Sequence, residues 1–145
     1  MPRIGYYAIL QELQAILQGD PSLNGVTVNI EQEGMLNVTA PWVNLLLDRR
    51  DAPPDQYLAG NTKQRYFVKF ILNCVQFALN KAEASRLRDE LVGTVEIVLM
   101  GNRTLNSFVT TSWLEGGAFD ITSVDAGFVA NAEIMLTADV TATTT

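Results

Sequence analysis

The chain has 145 residues, 48% of them hydrophobic, with a formal net charge of −6, no histidine and one cysteine. That length suits one domain with its own core, and the composition excludes an intrinsically disordered chain. It also excludes an internal disulfide, a multi-thiolate metal site and the commonest general base, and the acidity argues against tight binding of nucleic acid through its phosphates.

Ile4 to Gln18 reads as an amphipathic helix. Ile9, Leu13, Ile16 and Leu17 form its apolar stripe with Ala8 and Leu10 at the edges, and Gln11, Glu12, Gln14 and Gln18 lie opposite. Gly19-Asp20-Pro21 stops it, since Gly suits a left-handed cap and Pro cannot continue a helix. Asn24-Gly25 signals a turn, and Val26, Val28 and Ile30 then alternate with polar residues as a short strand. An acidic link, 31–34, leads on to a second strand over Pro41–Asp48, with Pro41 at its edge.

Arg49 to Gln64 is the long irregular segment. Loops of this length inside a domain are functional or disordered, so it is the leading candidate for a partner-binding element, with a plain flexible connector as the alternative; Arg49, Arg50, Asp51, Asp55 and Tyr57 are its candidate contacts.

Arg65 to Leu79 is aromatic and β-branched without Gly or Pro, which predicts a strand. Tyr66, Val68, Phe70, Leu72 and Cys74 make one apolar face. Phe67, Lys69, Ile71, Asn73, Val75 and Phe77 make a mixed one, so the strand should be central and covered mainly on one side. Asn80 can cap a following helix with Glu83 at the capping-box spacing; Ala84, Leu87, Leu91, Val95 and Val98 recur at helical intervals, opposite Lys81, Arg86, Asp89 and Glu90. Val95–Met100 fits a helix or a strand, and Gly101-Asn102 is the stop.

Phe108 to Thr122 is strand-like, with a turn or bulge expected at Gly116-Gly117. Asp125-Ala-Gly127 turns the chain into Phe128–Val140. There Ala130, Ala132, Ile134, Leu136, Ala138 and Val140 should face in, and Asn131, Glu133, Thr137 and Asp139 out. Thr141–Thr145 reads as a frayed tail. The order predicts a single α+β domain, a mainly antiparallel sheet packed by an N-terminal and a central helix.

No phosphate loop, dinucleotide fingerprint or nucleophile elbow occurs, and adjacent carboxylates such as Glu31/Glu33 and Asp89/Glu90 fall on surface-like segments. These readings point away from an enzyme, a cofactor or a metal. Cys74 reads as a small buried hydrophobe, and Trp42 and Trp113 as core or interface anchors. No apolar run approaches the roughly 20 residues of a membrane span, and no signal-peptide pattern opens the chain. The triplets at Asn37 and Asn102 that match glycosylation acceptors therefore read as coincidence.

Charge is uneven along the chain. Residues 65–103 hold six Lys/Arg and four Asp/Glu, whereas residues 104–145 hold five Asp/Glu and no Lys/Arg. That asymmetry invites a head-to-tail contact between subunits as much as it describes a solvated acidic surface.

The stretches Ile4–Gln18, Pro41–Asp48, Arg49–Gln64, Tyr66–Phe77, Lys81–Leu99 and Phe108–Val140 together resemble the tail-terminator (tail-completion) proteins of long-tailed bacteriophages and phage-like particles. The resemblance implies a virion structural protein of the tail–neck region. It would form a homohexameric ring that caps the tail tube protein, ends polymerisation and presents a surface to a head-completion protein, with DNA passing through the lumen unbound. Under it, the acidic hairpin (Asp120, Asp125, Glu133) and the Arg86/Arg88 helix face are the expected subunit pair, and reversing the acids should weaken assembly in a salt-dependent way. Another neck or tube component, or a small ligand-binding α+β domain, would fit the same pattern.

Overall fold

A computed structural model describes residues 5–31, 41–51 and 63–143. The elements are α1 (Tyr6–Gly19), a 3-10 turn (Pro21–Leu23), β1 (Thr27–Ile30), β2 (Trp42–Asp51), β3 (Lys63–Ala78), α2 (Lys81–Met100), β4 (Thr111–Val124) and β5 (Gly127–Thr143). The strands form one sheet in the order β1-β2-β3-β5-β4. β2–β3, β3–β5 and β5–β4 pair antiparallel, and β1 alone runs parallel to its neighbour. The fold is α+β.

The central strand is the expected one. Val68, Phe70, Leu72 and Cys74 are fully buried on the face that α1 and α2 cover, while Phe67, Lys69, Ile71 and Asn73 on the reverse face are half-buried. α1 contributes Ile9, Leu10, Leu13 and Leu17 to the core, and α2 contributes Leu91, Val92, Val95 and Leu99. Leu10, an edge position by periodicity, is 1% exposed and central. Asn80 caps α2 as its spacing predicts, its side-chain oxygen accepting from the Glu83 N–H at 2.8 Å. Glu83 does not close the capping box; its carboxylate is held by Arg86 instead. The ambiguous 95–100 stretch is helix, because Val95 and Leu99 point a helical turn apart into the core.

Several expectations are corrected. Arg49, Arg50 and Asp51 belong to β2, not to the loop. A register shift between Leu47 and Arg49 re-aims the strand, and Arg50 and Asp51 then pair with Val68 and Phe67. Ladder hydrogen bonds come from the backbone, so charged side chains do not end a strand where they can reach water. Lys63 and Gln64 likewise open β3, opposite Thr143 and Ala142, so β5 is paired through Thr143 where fraying was expected. Asp55, Tyr57 and the rest of 52–62, most of the 31–34 link and residues 144–145 lie outside the described residues. Thr137 and Asp139 do face the reverse side, opposite Lys69 and Phe67, but are buried there (1% and 7% exposed), because that face carries its own ion pairs beside them. The cap of α1 is also different: Gly19 ends the helix and Asp20 follows extended, with its side chain accepting from the Ser22 N–H to start the 3-10 turn.

Gly116-Gly117 is a bulge, with the register shifting between Glu115 and Gly117. A Cβ on Gly117 would lie 2.6 Å from the Glu133 carbonyl oxygen of β5, whereas one on Gly116 would meet nothing within 4 Å. The first of the two glycines is therefore free and the second is required by the close approach of β5.

Candidate functional site

The register resolves the charge asymmetry inside one chain. Arg65, on the reverse face of β3, makes a two-pronged pair with Asp139 of β5 at 3.0 and 2.9 Å. Lys69 reaches diagonally across β5 to Glu115 of β4 at 3.2 Å. The Trp113 indole N–H donates to the same carboxylate at 3.0 Å. Together, the indole first and the ammonium second, they hold the Glu115 carboxyl below the usual range. The mildly basic middle of the chain thus neutralises part of its acidic end within the subunit.

The two arginines expected to share an intersubunit face diverge. Arg86 is exposed and is engaged by Glu83 and Glu90 of its own helix. Arg88 is buried at 9% exposure and turns under the hairpin. Its guanidinium donates to the Asp120 carbonyl oxygen at 3.0 Å, to Ser85 Oγ at 3.0 Å and to Asp89 at 3.1 Å, and lies 5.1 Å from the Phe119 ring centre. Beside it, Ala78, Ala84 and Ala130 make a small second core with Leu87, Ile121 and Phe128. Small side chains let α2 approach the sheet here, and Arg88 closes the margin of that contact.

What remains unneutralised is the far half of the hairpin. Asp120, Asp125 and Glu133 are exposed, and none has an ion-pair partner among the described residues. The Asp120 carboxylate instead accepts from the Ile121 backbone N–H at 2.8 Å. Asp120 and Glu133 lie on the reverse face of the sheet on either side of Ala118, which stands opposite Glu133. β4 is also an edge strand, and its residues Gly116 to Asp120, Thr122 and Ser123 are exposed. Phe119, on the helix-covered face of the strand, is 55% exposed.

The opposite edge of the sheet is treated differently. Thr27 and Glu31 bond to Pro41 and Leu45 of the β2 side, so the intervening Val28 turns its carbonyl outward. That oxygen accepts from the amides of Gln14 and Gln18 of α1, at 2.8 and 3.2 Å. β1 is four residues long with its outward Val28 carbonyl taken by a helix, and β2 runs on past it to Asp51; β4 is fourteen residues long and open over its outer half.

At the far end of β2, the Arg50 guanidinium sits 4.1 Å from the Tyr66 ring centre and donates to the Tyr6 hydroxyl at 2.6 Å, while Arg49 pairs with Asp51 at 3.3 Å. These contacts are intramolecular and solvent-facing. They bring Arg49, Arg50 and Asp51 together at one corner, on the opposite side of β3 from the hairpin. Trp42 is buried, and Trp113 meets Phe67 edge-on at 5.7 Å. Cys74 is fully buried, and burial pushes its thiol up to about 12. Among the described residues no group of three His, Cys, Asp or Glu could hold a metal ion. A cleft of about 620 Å³ lies between the C-terminal ends of α1 and α2. Its one charged lining residue, Asp20, is already bonded to Ser22.

Periodicity alone does not single out Gln14, Gln18, Arg88 or Phe119. The glutamines carry a signal in hindsight, since two amides four residues apart on one helix face can reach a single carbonyl.

No family model and no curated protein sequence matches the chain. Among solved structures, its fold is similar to a chain of the virion of a native gene transfer agent particle. The TM-score is 0.52 at 13% identity, covering 92% of each chain. That similarity is one of fold.

Proposed function

We propose that this chain is a structural protein of a phage-like virion, one that closes into a ring on the end of a tail tube, stops its growth and offers a joining surface to head proteins. The observation that carries the reading is the fold similarity along nearly the whole chain to a component of a gene transfer agent virion. The element order of the tail terminators supports it independently. The partners in this reading are further copies of the chain, the tube protein and a head-completion protein. DNA passes through the ring without being bound, as a chain of net charge −6 with a free acidic hairpin would favour.

A closed ring requires two different patches on each subunit that complement one another. Arg88 is not available for such a patch, and Arg86 already has two carboxylate partners, so the hairpin-to-arginine contact is not carried forward. The exposed Arg49–Asp51 corner of β2 and the exposed Ile97 and Met100 near the end of α2 are the surfaces we assign to subunit contacts.

The test is the mass of the purified 15.9 kDa chain by light scattering, with negative-stain images, alone and with isolated tail tubes. A ring of about 95 kDa, or capping of tubes that then cease to elongate, is the expected result. A chain that forms no ring in either setting, or that copolymerises into tubes, overturns the reading.

A further inference from the structure

We infer that the open edge of β4, from Gly117 to Ser123, is a strand-addition site for an extended segment of a different protein, in which apolar and basic residues alternate.

An unpaired strand edge presents backbone N–H and C=O groups at the spacing that another strand needs. Soluble proteins protect such edges with Lys, Pro or a covering element. β4 has neither Lys nor Pro, and its outer half is exposed. Among the described residues two contacts engage its backbone outside the ladder: the Asp120 carboxylate on the Ile121 N–H, which rotation of one exposed side chain removes, and the Arg88 guanidinium on the Asp120 carbonyl, which approaches from α2. The β1 edge, capped by Gln14 and Gln18, shows what a closed edge looks like in this fold.

The register then specifies the occupant. Side chains of an added strand alternate between the two faces of the sheet. On the helix-covered face they would lie beside Phe119 and Ile121, which calls for apolar groups. On the reverse face they would lie beside Ala118, Asp120 and Thr122, with Glu133 of β5 one strand further in, which calls for Lys or Arg.

A second copy of this chain does not meet that description. Among the described residues, Arg65, Lys69, Arg86 and Arg88 are engaged within their own subunit, Arg49 pairs with Asp51, and Arg50 donates to the Tyr6 hydroxyl. Lys63 opens a strand paired with β5, and Lys81 and Arg103 lie in α2 and the turn after it. Residues 32–40 and 52–62 each carry one acid and no base, and residues 1–4 carry one base, Arg3, beside Pro2. Antiparallel pairing of two β4 edges would bring together two hairpins with three free acids each. A basic strand from a non-identical partner satisfies both the backbone and the charge.

The test uses the full chain and two fluorescent peptides of about seven residues, one alternating Val and Lys, the other Val and Glu. The expected result is saturable binding of the Val-Lys peptide, weakened by salt, with slowed amide exchange confined to β4. The Val-Glu peptide should bind at least about tenfold more weakly. In the Asp120→Lys/Glu133→Lys variant the preference should invert. Equal binding of both peptides, salt-independent binding, or protection on β1 instead of β4 overturns the proposal. So does concentration-dependent dimerisation that protects β4 without peptide. Salt dependence and exchange are read on the unaltered chain, so a variant that misfolds does not remove the test. Ring formation has a separate readout, its mass, and the failure of either proposal leaves the other standing.

Discussion

Arg88 and Arg86 sit two residues apart on α2 and do opposite things. Arg88 is buried, and its fork joins the helix to a backbone carbonyl of β4. Truncating it leaves that geometry without its donor and uncovers the edge of the small alanine-lined core. Arg88→Ala should therefore lower stability by about 2 kcal/mol, seen as a lower urea midpoint. Arg86→Ala removes only solvent-exposed pairs within one helix and should leave the midpoint unchanged. Equal effects of the two substitutions would mean that Arg88 is not the bridge its contacts describe. Helical periodicity marks apolar positions and treats every arginine as outward, so it cannot tell these two apart; only the position of β4 over the helix does.

At the scale of elements, the double glycine makes two predictions of opposite sign. Gly117→Ala drives a Cβ into the Glu133 carbonyl and should cost about 1–3 kcal/mol. Gly116→Ala meets nothing and should be neutral or stabilising by up to about 1 kcal/mol, both read from denaturant unfolding. The bulge itself was legible, because two glycines inside an alternating run have few other uses. So were the central strand, its two unequal faces, the Asn80 cap and the inward row of β5, all of which follow from local periodicity and cap chemistry. The course of β2 through Arg49–Asp51 was not, since Arg-Arg-Asp resembles a loop until β3 supplies a ladder for it. The parallel pairing of β1 and the ion pairs of Arg65 and Lys69 were equally hidden. They depend on register between residues 46 to 74 positions apart, or on strand order, and no local pattern encodes either.

Across the whole molecule, burial is graded from the centre of the sheet to the hairpin. β3 lies between β2 and β5 and is buried on one face throughout its core, so its amides should exchange slowest and report global unfolding. The amides of β4 from Gly117 to Ser123 should exchange fastest in the sheet, a ranking that hydrogen-exchange mass spectrometry checks directly. Uniform protection across the five strands would contradict the gradient. The two Gln amides on the Val28 carbonyl give this gradient a further meaning. A sheet with one sealed side and one open side has a valency of one for added strands. Alongside β1 this sheet can accept a strand only at β4, while Leu46–Asp51 of β2 run on past the end of β1. Growth by successive strand addition, which needs both edges, is thereby hindered where β1 lines the sheet, and replacing Gln14 and Gln18 is the change that would ease it.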